Sequence, residues 1–366
     1  MKWLETTLGE QCELYQPKTL AKSELKEQGK YYVYGANGII GMHDEFNHAE
    51  SEVLITCRGA TCGTINVSKP MSWINGNAMV VKPMRDNICK KFLSRYLQYI
   101  DMSGVITGAA QPQITRQSLS PLKIKLPPLA EQRRIAEILD KANEIKAKRE
   151  QAIVKLDELA DNTFVHLFEK NKKYEYQKLS NLCDLITDGT HYTPIYSNEG
   201  VVFLSAKNVT SGKVDWVNIK HIPQSLHIEL EKRVKPKIGD VLLAKNGTTG
   251  VAAIVDRDIT FDIYVSLALL RPGNKITTEF LHASLNSKIT KRQFNSALKG
   301  IGVPNLHLVD IRNTTIPLPN LEEQGAFLKI IQKINVNREL EVRSLKSINN
   351  LINSLQNQAF TTGFSA

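Results

Sequence analysis

The chain repeats itself. Leu126-Pro127-Pro128-Leu129-Ala130-Glu131-Gln132 recurs 192 residues on as Leu318-Pro319-Asn320-Leu321-Glu322-Glu323-Gln324. The same offset pairs Gly108 with Gly300, Pro112 with Pro304, Gln113 with Asn305, Ile114 with Leu306 and Ile124 with Ile316. Self-similarity on that scale restricts the fold to two copies of one plan. Nearer the start of each half, Leu8, Cys12 and Leu14 match Leu179, Cys183 and Leu185, and Arg58-Gly59-Ala60-Thr61 resembles Asn246-Gly247-Thr248-Thr249 at shifting offsets. The interiors of the copies diverge.

After each motif the pattern becomes helical. Ile135, Ile138, Ala142, Ile145, Ala152, Leu156 and Leu159 follow a 3-4 alternation in which Arg149 is the charged intruder, which predicts a heptad helix from about Ala130 to Lys170. Pro127 and Pro128 set an extended approach to it and act as a stiff hinge. In the second copy Phe327, Ile330, Ile334, Leu345, Ile348, Ile352, Leu355 and Ala359 make the stripe, joined in phase if Arg338 and Glu341 take core positions. One 4-4 spacing there marks a four-residue stutter, which also explains why Phe164 and Phe168 match Phe360 and Phe364 at a longer offset. Stripes this apolar are expected to pack on each other, and an antiparallel arrangement brings Arg149 within about a turn of Glu341, neutralising both charges. A helix of about 40 residues spans about 60 Å, the length of a stiff spacer.

A length of 366 residues with 42% apolar and 23% charged content supports more than one core and excludes disorder as the main state. The net charge of +10 is unevenly placed: residues 1–128 and 174–320 hold most of the basic surplus, and the two helical segments are near balance. Two basic heads on a neutral rod fit a bipartite polyanion, of which DNA is the obvious one; solubilising lysines explain the charge equally simply. No run approaches the roughly 20 apolar residues of a membrane span, and the start lacks a signal-peptide core, so a cytoplasmic protein without a membrane partner is expected. Cys12, Cys57, Cys62, Cys89 and Cys183 have neither disulfide nor zinc-ribbon spacing and are expected to be reduced packing residues.

Within each head, Lys30–Val33, Val53–Thr56, Ala78–Val81, Val201–Leu204, Val241–Ala244 and Val265–Leu270 read as strands, and Ile88–Ile100 and Thr278–Leu298 as helices. Loops of Gly, Thr, Asn and Gln beside basic residues suit phosphate and base-edge contact. On that chemistry the expected DNA contacts are Arg58, Thr61, Gln111, Gln113 and Arg116 in the first head. In the second they are His191, Tyr192, Lys207, Asn208, Lys245, Asn246, Thr248 and Thr249. Ordinary hairpin turns and structural linkers are the bland readings of the same loops. The segment Asp188 to Pro194 is the densest polar loop, but no partner cluster makes it catalytic or metal-binding, and His43 and His48 read as surface residues. There is no GxxxxGK[ST], GxGxxG or HExxH motif and no Asn-Pro-Pro-aromatic methyltransferase motif; Glu229-Leu230-Glu231-Lys232 lacks the upstream acid of a nuclease. No catalytic residue and no metal site is expected.

Over essentially its whole length the chain resembles the specificity subunits of type I restriction-modification systems. The duplicated segments Ile124 to Ala136 and Ile316 to Gln324, each followed by a long helix, carry the resemblance, with Asp188 to Pro194 similar to a segment of the family's recognition domains. Gly325, where the first copy has Arg133, is a departure. The resemblance implies an α+β fold: two mixed α/β target-recognition domains (1–126 and 174–318) alternating with hinge-plus-helix segments (127–173 and 319–366) that pair as an antiparallel coiled coil. Ile135, Ile138, Ile145, Arg149, Leu156 and Leu159 would face Ile330, Ile334, Glu341, Leu345, Ile348, Ile352 and Leu355. It also implies a non-catalytic subunit whose domains each read half of a bipartite double-stranded DNA target. The helices would set the gap and dock methyltransferase subunits, with restriction/translocase subunits as further partners. S-adenosylmethionine, ATP and magnesium would belong to those partners. Rival readings are a coiled-coil scaffold binding nucleic acid without sequence preference, and an enzyme working at the Asp188 loop.

Overall fold

Each half of the sequence builds the same sheets. The computed structural model describes residues 3–108, 110–169, 173–298, 304–361 and 363–364. It forms two units, one of Met1–Glu150 with Arg343–Ala366 and the other of Gln151–Val342. Unit 1 contains β1 (Leu4–Thr7), α1 (Leu8–Gln11), β2 (Cys12–Tyr15), β3 (Tyr31–Gly35), β4 (Gly38–His43), β5 (Val53–Thr56), β6 (Ile65–Val67), β7 (Trp73–Ile74), β8 (Ala78–Pro83), α2 (Lys90–Tyr99), α3 (Arg116–Leu119) and β9 (Lys123–Leu126). The helix α4 (Leu129–Phe164) follows. Unit 2 contains β10 (Tyr176–Lys178), β11 (Cys183–Asp188), β12 (Val201–Leu204), β13 (Lys220–Ile222), α5 (Gln224–Leu230), β14 (Val241–Ala244), β15 (Ala252–Ile254), β16 (Phe261–Ile263), β17 (Leu267–Pro272), α6 (Thr278–Asn286), α7 (Lys288–Ala297), α8 (Leu308–Asn313) and β18 (Thr315–Pro317). The helix α9 (Leu321–Thr361) comes last.

The strand orders of the two units correspond one to one. In unit 1 they are β2-β8-β5-β6, β4-β3-β7 and β1-β9; in unit 2 they are β11-β17-β14-β15, β13-β12-β16 and β10-β18. Even the parallel pairs coincide, β3 with β7 and β12 with β16. The inner strands β5 and β14 are buried at every position, which is why they read in sequence as unbroken apolar runs. The expected helix Thr278–Leu298 is two helices. Ser287 is extended between them, and its Oγ accepts a hydrogen bond from Thr290 N, the N-terminal cap that serine favours over a helix interior.

The long helix expected from Ala130 begins at Leu129 and continues through a π-helical turn, Val165–Glu169; its expected end at Lys170 lies outside the described residues. In unit 1, Ile135, Ala136 and Leu139 share a core with Leu355, Ala359 and Phe360 from the end of α9, and Glu131 accepts a hydrogen bond from Phe364 N. In unit 2, the end of α4 meets the start of α9: Phe164 packs on Phe327 with centroids 5.5 Å apart, and Arg338 Nε reaches Asp157 at 2.6 Å. The helices run antiparallel. Their contact is narrower than the apolar stripes. Ile135, Ile334 and Ile352 are buried and Ile138, Leu156, Leu345, Ile348 and Leu355 partly so, whereas Ile145, Leu159 and Ile330 are exposed. Two helices cover each other along one seam, and the flanks of a wider stripe stay in water. Arg149 and Glu341 fall in different units.

The repeated motif has a structural cause. Gln132 is 1% exposed: its Oε1 accepts from Cys89 N, and its Nε2 donates to Asn87 O and Pro127 O. Gln324, fully buried, accepts from Thr277 N and donates to Lys275 O and Pro319 O. Each glutamine thus ties the first turn of a long helix to the segment entering α2 or α6 and to its own proline hinge. The motif's glutamates act in parallel. Glu131 takes Phe364 N, while Glu323 takes Lys173 Nζ and Tyr174 and closes a reciprocal cap with Asn320. The aromatic repeat also recurs in space, with Phe360 on Phe92 and Tyr96 in unit 1, and Phe164 on Phe280 in unit 2.

Candidate nucleic-acid interface

In unit 1 the chain leaving β5 meets the segment preceding α3. Arg58 and Gln113 form an isolated antiparallel bridge, flanked by hydrogen bonds from Ile114 N to Cys57 O (2.9 Å) and from Gly59 N to Pro112 O (3.1 Å). Gly59 then turns the loop in the left-handed region (φ +85), with open space where a Cβ would stand. Arg58, Thr61, Gln111, Gln113 and Arg116 are all exposed. Arg116 begins α3, capped by Thr115. Among the described residues nothing accepts a hydrogen bond from the Arg58 guanidinium.

Unit 2 repeats this clasp atom for atom along the backbone. Asn246 bridges Asn305, Leu306 N donates to Lys245 O (2.8 Å), Gly247 N donates to Pro304 O (3.3 Å), and Gly247 has φ +76 over open space. The neighbouring Gly300-Ile301-Gly302-Val303 segment lies outside the described residues, as does Ala109 in unit 1. Asn246 Oδ1 and Asn305 Oδ1 are buried and take no hydrogen bond from any described residue.

Four of the expected contact residues converge. Lys207, Asn208, Asn246 and Thr248 line one cavity of about 520 Å³ together with Tyr196, Lys220 and Tyr264. Lys220 Nζ stands 3.8 Å over the Tyr196 ring, so the cavity has a second cation held by an aromatic face. Lys207 and Thr248 are exposed, Thr249 is partly buried, and Tyr192 is 47% exposed on the preceding loop.

Two of the thirteen expected DNA contacts are internal instead. Asn208 is 6% exposed, and its amide holds its own turn, accepting from Ser205 N and donating to Asp215 O and Asn218 O. Lys245 is also 6% exposed, and its Nζ lies 2.5 Å from Asp188 Oδ2. A polar residue in a Gly/Asn-rich loop reads identically in sequence whether it points to solvent or inward. Asp188, 2% exposed at the end of β11, also pairs with Arg233 at 2.6 Å and His191 at 3.2 Å. Burial alone would push its carboxyl up, but the hydrogen bond and charge of Lys245, with His191, outweigh that and hold it below the ordinary carboxylate range. The Asp188 to Pro194 loop is therefore anchored by a buried charge cluster, which leaves His191 and the half-exposed Arg233 at the surface. Arg233, Lys220 and Asn305 escaped the sequence reading. Only Asn305 left a signal there, its match to Gln113.

Among the described residues no group of three or more His, Cys, Asp or Glu side chains is placed to hold a metal ion, and no helix is long and apolar enough to cross a membrane. Burial pushes the Cys12 thiol up to about 12 and Cys57 to about 11, as suits packing residues.

A duplicated α+β unit carrying the same backbone clasp, exposed at Arg58 and Gln113 and partly buried at Asn246 and Asn305, and alternating with paired long helices, defines a two-domain recognition protein. The model of the type I restriction modification DNA specificity domain matches residues 1–155 and 171–350, and the chain belongs to that family. It is 25% identical over 370 residues to the type I restriction enzyme EcoBI specificity subunit of Escherichia coli, covering 90% of this chain and 74% of that one. It is 24% identical over 337 residues to the MjaVIII specificity subunit of Methanocaldococcus jannaschii, covering 85% and 79%. Its fold is shared with the S subunit of the M. genitalium type I system at TM-score 0.62 and 16% identity, covering 98% of this chain and 96% of that one. A structure described as the basis of complex assembly and conformational transition of the type I R-M system matches at TM-score 0.63 and 17% identity, with 99% and 98% covered. As a specificity subunit this chain is a recognition component and not a catalyst.

Proposed function

We propose that this chain supplies the sequence selectivity of a type I restriction-modification complex, with each unit reading one half of a bipartite double-stranded DNA target. The observation that carries the reading is the clasp present in both units, Arg58 with Gln113 and Asn246 with Asn305. Arginine, with two parallel donors, and glutamine and asparagine, each with a donor and an acceptor, are side chains that match base edges in the major groove. The left-handed glycine after each clasp leaves room for a phosphate backbone to approach. The basic surplus of both heads supplies the sequence-independent attraction.

In this reading the antiparallel helices set the gap between half-sites, and the apolar flanks left exposed at Ile145, Leu159 and Ile330 dock methyltransferase subunits. Restriction/translocase subunits join the same complex. Methyl transfer from S-adenosylmethionine and ATP- and magnesium-driven steps take place on those partners, in the cytoplasm.

Methylome sequencing of a host carrying this chain with its cognate methyltransferase subunit, against a host with the methyltransferase alone, tests the reading. A gapped two-part motif bearing methyladenine is expected only when this chain is present. Copurification of the two proteins without a new motif would favour the non-selective scaffold instead.

A further inference from the structure

We infer that positions 58 and 113 in unit 1 and 246 and 305 in unit 2 are equivalent base-reading positions, and that Arg58 assigns a G·C pair to the unit 1 half-site while Asn246 and Asn305 assign an A·T pair to the unit 2 half-site. This rests on the DNA-reading function proposed above and adds which residues choose which base.

The equivalence is structural. Sequence alignment places 113 opposite 305 at the constant offset, but reaches 58 and 246 only with a shifted one, so the pairing of all four positions is invisible along the chain. In space both pairs sit in the same antiparallel bridge, between the same two flanking hydrogen bonds, before a glycine of the same backbone conformation. A rigid two-segment clasp fixes where each Cα stands, so two copies of it present their side chains to a duplex in the same way.

The side chains then differ in what they match. Arg58 offers two parallel N–H donors from an exposed guanidinium and no acceptor, which fits guanine O6 and N7 and fails at adenine, whose N6 amino group is itself a donor. Asn246 and Asn305 each offer a donor and an acceptor, which fits adenine N7 and N6. Their Oδ1 atoms lack a donor from any described residue, and a buried acceptor left so is unfavourable until an N–H arrives. The adenine N6 amino group supplies one when the Asn246 side chain turns into the cavity that it lines with Thr248, Lys207 and Lys220. Guanine presents only acceptors on its major-groove edge and leaves both oxygens unsatisfied.

The test selects DNA from a randomised duplex library with the complex of the full chain and its methyltransferase subunit, followed by sequencing of the bound pool. The wild-type complex is expected to enrich a G·C pair in one half-site that Arg58→Gln makes degenerate or converts to A·T, with at least a tenfold fall in the preference for G and the other half-site and spacer unchanged. Asn246→Arg combined with Asn305→Gln is expected to convert one A·T pair of the second half-site to G·C. Arg58 is exposed, so its variant carries no folding burden, and an intact first half-site in the double variant certifies that complex. A gapped motif that survives Arg58→Gln unaltered, or that is altered at a position other than G·C, overturns the assignment while leaving the DNA-reading function standing. A wild-type pool with no gapped motif removes both.

Discussion

Replacing Gln324 by alanine is expected to loosen the start of α9 from unit 2, and the same change at Gln132 the start of α4 from unit 1. Gln324 Nε2 donates at 3.0 Å to both Lys275 O and Pro319 O, and its Oε1 accepts from Thr277 N at 2.9 Å, all in a fully buried setting. Three such bonds contribute about 1 kcal/mol each net of water, and a backbone N–H left buried without an acceptor costs about 1–3 kcal/mol more. The expected loss is therefore about 4–6 kcal/mol, a large share of the about 5–15 kcal/mol that holds a typical domain together. Because the chain has two units, one global melting temperature is a poor readout. Native-state hydrogen exchange resolves them. Gln324→Ala should lower protection of the Thr277 amide and the first turn of α9, Gln132→Ala that of the Cys89 amide and the first turn of α4, each with little effect on the other unit. Gln→Glu keeps the acceptor but sets a carboxylate oxygen against two carbonyls, and should be at least as damaging. Losses under about 1 kcal/mol in both alanine variants, or protection lost equally in both units, would refute the view that these glutamines are local latches.

The Asp188 cluster predicts an acid limb in the stability of unit 2. Its carboxyl is held below the ordinary range, so its contribution is fully present above the unfolded value of about 4 and is lost as pH falls through the depressed folded value. Asp188→Asn should flatten that limb and, by leaving Lys245 buried without its carboxylate, destabilise unit 2 by about 3 kcal/mol near neutrality, read from denaturant titrations across pH. Lys207→Ala should weaken binding about equally for all DNA sequences and lower the slope of log affinity against log salt by about one, measured by fluorescence anisotropy; altered base preference instead would make Lys207 a base reader. Cys12 and Cys57 should resist maleimide at pH 8 in the native protein and react once it is unfolded, since burial suppresses their thiolates; mass spectrometry showing rapid native labelling of either would contradict their burial.

Much of the architecture was legible along the chain because its causes are local. The heptad stripe from Ile135 to Leu159 follows from helical periodicity, and the runs Val53–Thr56 and Val241–Ala244 name central strands because both faces of those strands are covered. The break at Ser287 escaped because a serine inside a helical pattern becomes a cap only when its hydroxyl finds Thr290 N. The glutamines at 132 and 324 were visible as a repeated motif but not as latches, since their six partners come from hinges and from chain more than forty residues away.

The candidate interface divides the same way. Which loops carry amide and guanidinium side chains suited to base edges was evident from composition, and that there are two of them from the repeat. The tertiary structure alone decided that Arg58 meets Gln113, that Asn246 meets Asn305, and that Asn208 and Lys245 turn inward. Residue type and periodicity are properties of the chain, whereas pairing and desolvation depend on neighbours that only folding brings together.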